Sequence, residues 1–115
     1  MEPLAVLRFN GRHSGRRREI PVGLHEVNGL AAVFTDRAWR LNFSDTTAVI
    51  VMAGGRARTG TAELVDDPDR VGPALAAAFA QVGDRKLGLS IAKGEHPTPA
   101  DFAATGKSLI EIRFD

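Results

Sequence analysis

Apolar residues recur along this chain with two different periods, and the switches between them delimit its elements. Leu4-Ala5-Val6-Leu7-Arg8-Phe9 is a short apolar run whose length and branched content fit a buried strand. Glu19-Ile20-Pro21-Val22-Gly23-Leu24 alternates and puts Arg18, Ile20, Val22 and Leu24 on one face. Pro21 has no N–H to donate to a ladder, so that strand should have an edge or a bulge there. Asn28-Gly29, between Val27 and Leu30, is the strongest hairpin signal, because both positions tolerate the positive φ of a type I′ turn. Taken literally, the turn sets Leu24 opposite Val33, Val22 opposite Thr35 and Pro21 opposite Asp36. Phe34-Thr35-Asp36 then returns to the level of the arginine-bearing start of the preceding strand.

Arg37 to Phe43 fits a turn or two of helix and holds the only Trp, Trp39. Thr46 to Ala53 and Arg56 to Val65 predict a second hairpin about Gly54-Gly55, pairing Met52 with Ala57 and Ile50 with Thr59. Asp67-Pro68 reads as N-cap and first residue of a helix, along which Val71, Leu75, Ala78, Phe79 and Val82 recur at helical spacing until Gly83. Pro73 places the regular part of that helix after it, with a turn before. Lys86 to Ile91 reads as an ambiguous strand. Thr98-Pro99-Ala100-Asp101 starts a second helix lasting to about Gly106, and Leu109 to Phe114 closes the chain with Ile110, Ile112 and Phe114 on one face. Six or seven short strands with two short helices predict a mainly β chain with minor α, a small antiparallel barrel in one domain, residues 1–115.

Composition narrows the chemistry. With 115 residues, 43% hydrophobic and 25% charged, the chain has room for one core. It contains no apolar run of bilayer-spanning length, and Met1 leads almost directly into a strand pattern without a charged-then-apolar leader, which gives a cytoplasmic expectation with no membrane partner. Cys is absent, which excludes disulfides and thiolate sites, and His13, His25 and His96 lack metal-ligand spacing, so no metal is expected. His25, beside the hairpin turn, and His96, beside Pro97, read as surface residues. The formal net charge is +1, so basic character is local to residues 12 to 18.

That local stretch is Asn10-Gly11-Arg12-His13-Ser14-Gly15-Arg16-Arg17-Arg18. Glycines permit a tight turn whose consecutive N–H groups can meet one oxyanion, and Arg adds bidentate charged hydrogen bonds. A phosphate or carboxylate site fits this pattern; a solvated basic loop is the alternative.

The order of motifs, Gly11-Arg12-His13-Ser14-Gly15 with Arg18 and Pro21, a hairpin, then Trp39-Arg40-Leu41-Asn42-Phe43 and another strand pair, resembles the deazaflavin-dependent nitroreductase family of the split β-barrel flavin-binding superfamily. The resemblance spans Leu7 to Val65, about half the chain. It implies a split barrel that binds coenzyme F-420 and passes a hydride to a small acceptor, as a homodimer. By position, Arg12, His13, Ser14, Gly15 and Arg18 would hold the phosphate and tail, and Phe34, Thr35, Asp36, Trp39 and Asn42 would lie along the ring system. No catalytic residue is implied. The sequence departs from the family pattern: His13 stands for a Lys, Arg40 for a Tyr, the chain has no Tyr, and Asp36-Arg37-Ala38 is shorter than the usual Gly-rich loop.

Several roles stay open. Arg18 leads the ligand candidates because the alternation turns it to the apolar side, whereas Arg16 and Arg17 fit solvated positions. Trp39 fits core or interface packing as well as ring stacking, and Asp36 fits a helix cap as well as a ligand contact. Two alternatives to F-420 chemistry are FMN binding, with or without turnover, and a nucleic-acid-binding barrel. Near-neutral charge and the lack of interleaved surface aromatics argue against nucleic acid.

Overall fold

Positive backbone angles at Asn28 (φ 53°) and Gly29 (φ 81°), and at Gly54 (φ 58°) and Gly55 (φ 77°), close two tight hairpins as the type I′ signature requires. The computed structural model describes residues 4–92 and 94–115; the start of the chain, where no leader is expected, lies outside them. Its strands are β1 (Leu4–Asn10), β2 (Arg17–Gly23), β3 (His25–Val27), β4 (Leu30–Thr35), β5 (Thr47–Ala53), β6 (Arg56–Val65) and β7 (Ser108–Phe114). Helices α1 (Pro68–Val82) and α2 (Pro99–Ala103) lie between β6 and β7, with 3-10 segments at Ala38–Phe43 and Arg85–Leu87.

All pairings are antiparallel, in the order β2-β1-β5-β6-β7-β4-β3. The chain is mainly antiparallel β: one curled sheet, half a barrel, with few helices. β5 and β6 pair in the register expected, Met52 with Ala57 and Ile50 with Thr59. The first hairpin is shorter than its turn implies. It pairs His25 with Ala32 and Val27 with Leu30, and there the ladder stops. Val22 does not meet Thr35, nor Pro21 Asp36. Instead β2 pairs along its whole length with β1, Phe9 opposite Arg18 and Ala5 opposite Val22. The glycine loop folds β2 back on β1, which takes the ladder that the hairpin rule assigned to β4.

The curled sheet is apolar on its inner face and, over its helix-covered half, on its outer face. Its inner face gathers Leu7, Phe9, Val33, Val51, Ile110 and Ile112 around Phe43, which is fully buried. The outer face of the β3-β4-β7-β6 half packs on α1 and α2 through Val27, Val65, Leu75, Leu87 and Phe102. Neighbours in one strand serve different cores: Ala32 and Leu109 the outer, Val33 and Ile110 the inner. Strands sandwiched in this way read as continuous apolar runs.

Asp67 caps α1 by accepting from the Asp69 amide at 2.9 Å, and Val71, Leu75 and Ala78 are buried as the stripe predicts. Pro73 does not delay the helix. It removes one intrahelical bond, and burial of Val71, Gly72, Ala74 and Leu75 on both sides of it offsets that loss. Residues 86 to 91 form no strand: a 3-10 turn buries Leu87, and Gly88 at φ 68° ends it. α2 opens with a full capping box between Thr98 and Asp101.

Candidate ligand cleft

Alternation of backbone groups builds the site. In an antiparallel ladder hydrogen-bonded and non-bonded pairs alternate, so a residue's N–H and C=O both point to the same side. The Gly11 amide donates to the Arg16 carbonyl at 2.8 Å, in the register that continues through Phe9–Arg18, Leu7–Ile20 and Ala5–Val22. The backbone groups of Arg17, Glu19, Pro21 and Gly23 therefore face away from β1. Pro21 occupies one of the positions where its missing N–H costs no ladder bond, as an edge strand allows. On the first hairpin, Val27 and Leu30 flank a two-residue turn and exchange hydrogen bonds, as do His25 and Ala32. The next residue of β4 facing that side is Phe34, beyond the end of β3.

Two unpaired edges thus face one another, β2 at Ile20–Gly23 and β4 at Val33–Thr35. They are tied at one end, where the chain crosses through Leu24 into β3. Between them lies a cleft of about 400 Å³, with Arg37 and Trp39 completing its wall beyond the end of β4. The Arg37 amide donates to the hydroxyl of buried Thr35 at 3.0 Å, and the Arg40 guanidinium donates to the Arg37 carbonyl at 3.1 Å. Those bonds fix the backbone from which the Arg37 side chain extends. Trp39 packs edge-on to Phe43 at 6.1 Å between centroids, Phe43 edge-on to Phe9 at 4.7 Å, and the Arg18 guanidinium lies 5.8 Å over the Phe9 ring. Arg18 is on the same face of β2 as Ile20 and Val22, one alternation step beyond the cleft.

Of the residues expected along a ring, Phe34, Thr35 and Trp39 line the cleft. Asp36 does not line it and is exposed, and its carbonyl accepts from Arg40 at 3.4 Å. Asn42 does not reach the cleft. Its Oδ1 accepts from the Arg12 amide at 2.8 Å and its Nδ2 donates to the Trp39 carbonyl at 2.8 Å. Four amides of the glycine loop are taken up within the fold. Amides of Gly11, Arg12, Gly15 and Arg16 are committed to Arg16 O, Asn42 Oδ1, Gly11 O and Ser14 Oγ respectively. The Arg12 guanidinium donates to the Leu41 carbonyl at 2.7 Å and to Ser44 Oγ at 3.2 Å, so it bolts the loop to the 3-10 helix. His13, Ser14 and Gly15 are exposed beside it.

Sequence reasoning did not find Ile20–Gly23, Val33 or Arg37. Pro21 on an alternating strand was the usable signal, since it marks a strand side that cannot be zipped closed. His25 is buried, not on the surface. It packs 5.9 Å from Phe34 behind the cleft, beside Gly23, where an added Cβ would lie 3.4 Å from Nε2. Its Nδ1 has no partner. Burial, and secondarily the Lys86 charge, hold its pKa below the usual imidazole value.

A larger hollow of about 550 Å³ lies at the β5-β6 turn end, walled by Leu4, Val6, Pro21, Met52 and Ala57. Its side chains are aliphatic apart from Arg56, so nothing there fixes a ligand's orientation. The β2-β4 cleft combines an indole, a guanidinium and free strand edges. Its lining carries no carboxylate, imidazole or phenol. Among the described residues no cluster of His, Asp or Glu could hold a metal ion, and no helix is long and apolar enough to cross a membrane.

No family model matches the chain, and no curated protein does. Among solved structures it is similar to the protein Atu2129 from Agrobacterium tumefaciens str. C58, described as of unknown function, at a TM-score of 0.68 and 19% identity. The match covers 98% of this chain and 48% of that one, so the chain spans about half the length of that protein. At that identity the likeness establishes the fold alone.

Proposed function

We propose that the cleft between β2 and β4 binds a flat heteroaromatic redox cofactor, coenzyme F-420 first and FMN second, and that the protein presents it to a small acceptor. The observation that carries this reading is the convergence of Phe34, Thr35 and Trp39 with the free edge of β2 in one cleft of about 400 Å³. That volume is within the range of small-molecule sites. Trp39 offers a ring face, Ile20, Val22 and Val33 offer apolar contact, and Arg37 with Arg18 beyond it offers charge for a phosphate or carboxylate. A reduced deazaflavin, when bound, supplies a hydride. The protein's part is position and electrostatics. With no acid or base in the lining, a cofactor-binding protein without turnover is the second reading. The family resemblance adds a homodimer, which light scattering tests.

The test is a thermal-shift panel with F-420, FMN and buffer. At 100 times its dissociation constant a ligand stabilises the fold by about 2.7 kcal/mol, roughly 10 °C for a domain of this size. No shift with either cofactor at millimolar concentration overturns the proposal.

A further inference from the structure

We infer that His25 is a proton-sensitive pin on the closed end of the β2-β4 cleft: charging its imidazole releases β3 and the 3-10 segment Arg85–Leu87 and so unties that end. The inference concerns the cleft's own framework and stands whatever the cleft binds.

Four elements meet on this side chain. His25 is 7% exposed, and its strand residue pairs with Ala32 of β4. Its ring lies 5.9 Å from that of Phe34. A Cβ added to Gly23, the last residue of β2, would stand 3.4 Å from Nε2 and 3.9 Å from the Lys86 carbonyl, so the imidazole and the 3-10 backbone are both seated on that glycine. Gly23 and Phe34 line the cleft, one from each strand. The neutral ring fills this junction as an apolar body. A charged one finds no acceptor at Nδ1, which is buried without a partner among the described residues. The surrounding charge opposes it as well. The Lys86 ammonium is of like sign. Glu26, one alternation step along β3, is exposed. Gly23, Ala32 and Phe34 carry no charge, and α1 meets this hairpin through apolar side chains and through Gln81, whose Nε2 donates to the Glu26 carbonyl at 3.1 Å.

A buried charge without a partner is driven toward water by the motion that costs least. Such a motion is at hand. β3 has three residues, stands at the edge of the sheet and is held to β4 only at His25–Ala32, Glu26–Ala31 and Val27–Leu30, while the 3-10 segment is a single turn. Local openings are drawn from short, edge-lying pieces of this kind. The cleft is closed where the chain passes through Leu24 into β3, so loosening β3 removes the tie.

Hydrogen exchange of the full chain, read by mass spectrometry at pH 8 and pH 5.5 and corrected for intrinsic rates, tests it. In the released state the imidazole regains its ordinary pKa of about 6.5, so one proton can raise the opening equilibrium at pH 5.5 by at most about tenfold. Residues 23–27 and 85–87 should therefore lose protection roughly threefold to tenfold on acidification, at exchange times when β5 and β6 are still fully protected. Equal protection at the two pH values overturns the inference. So does exchange of these segments only in step with β5 and β6, which would mean that the whole sheet unfolds. His25→Gln, uncharged at both pH values, should hold the protection of both segments constant, and acceleration that survives in it overturns the inference. If that variant does not fold, the wild-type imidazole followed by NMR decides. It must titrate below pH 6.5, across the interval in which exchange accelerates; titration at or above that value overturns the inference.

Discussion

Replacing Asn42 by Ala tests whether the arginine loop is a structural bolt. The half-buried Asn42 amide makes two bonds, accepting from the Arg12 amide and donating to the Trp39 carbonyl, both at 2.8 Å. Net contributions of about 0.5 to 1.5 kcal/mol per neutral hydrogen bond give a loss of roughly 1 to 3 kcal/mol. The partners left behind are near solvent, which favours the middle of that interval, about 2 kcal/mol. Arg12→Ala removes the guanidinium bonds to Leu41 O and Ser44 Oγ while keeping the backbone bond to Asn42. Because Arg12 is exposed, about 1 kcal/mol is expected for it. Urea denaturation of the ligand-free protein is the assay. With m of roughly 1.5 kcal/mol/M for a small domain, Asn42→Ala moves the midpoint by about 1 M at unchanged m. Both side chains hold one loop-to-helix contact, so the double variant should lose less than the sum. A midpoint within about 0.2 M of wild type for both single variants would refute the bolt and return Arg12 to the pool of free ligand-binding cations.

Further outcomes follow from close approaches and from the buried imidazole. A Cβ at Gly60 would fall inside 3.0 Å of the Arg113 carbonyl, so Gly60→Ala should push β6 and β7 apart, cost about 1 to 3 kcal/mol and lower the melting temperature by roughly 5 to 15 °C. Gly72 makes an equally close approach to the Pro99 carbonyl, but between the two helices. Gly72→Ala should therefore raise hydrogen exchange in α2 while leaving the inner-face strands β1 and β5 protected. His25 has a folded-state pKa below its unfolded value of about 6.5. The unfolded chain thus takes the proton more readily, so stability is complete above about pH 6.5 and falls as the pH drops below it. Melting temperatures between pH 8 and 5 should show that fall in the wild type, and His25→Phe should flatten it. Identical profiles for the two proteins would remove His25 from the account.

Local chemistry was legible because it acts over a few residues. Asn28-Gly29 and Gly54-Gly55 closed their hairpins as positive-φ residues do, and Asp67-Pro68 and Thr98-Pro99 opened the helices they signalled. The alternation from Ile110 to Phe114 gave the face of β7 correctly, and Arg18 did turn to the apolar side, over Phe9. Errors came where two local signals competed for one segment. The hairpin rule extended β2 toward β4, whereas the wider glycine loop folded it back on β1 and took the longer ladder. The run from Lys86 to Ile91 looked apolar enough for a strand, yet a 3-10 turn formed there and Leu87 was buried against α1 instead.

The candidate site separates what each level decided. Sequence alone determined which residues could carry ring or anion contacts, since Trp, Phe and Arg are recognisable as types, and it determined a small antiparallel β fold from period and turns. Tertiary structure decided which of them share a surface. It bound Arg12 and Asn42 to each other, left Asp36 outside, and brought Ile20 to Gly23, Phe34, Arg37 and Trp39 around one gap. The reason is that a cleft of this kind is made by a ladder that ends. Hydrogen bonds left unmade between β2 and β4 depend on the curl of seven strands, and no short stretch of residues encodes that curl.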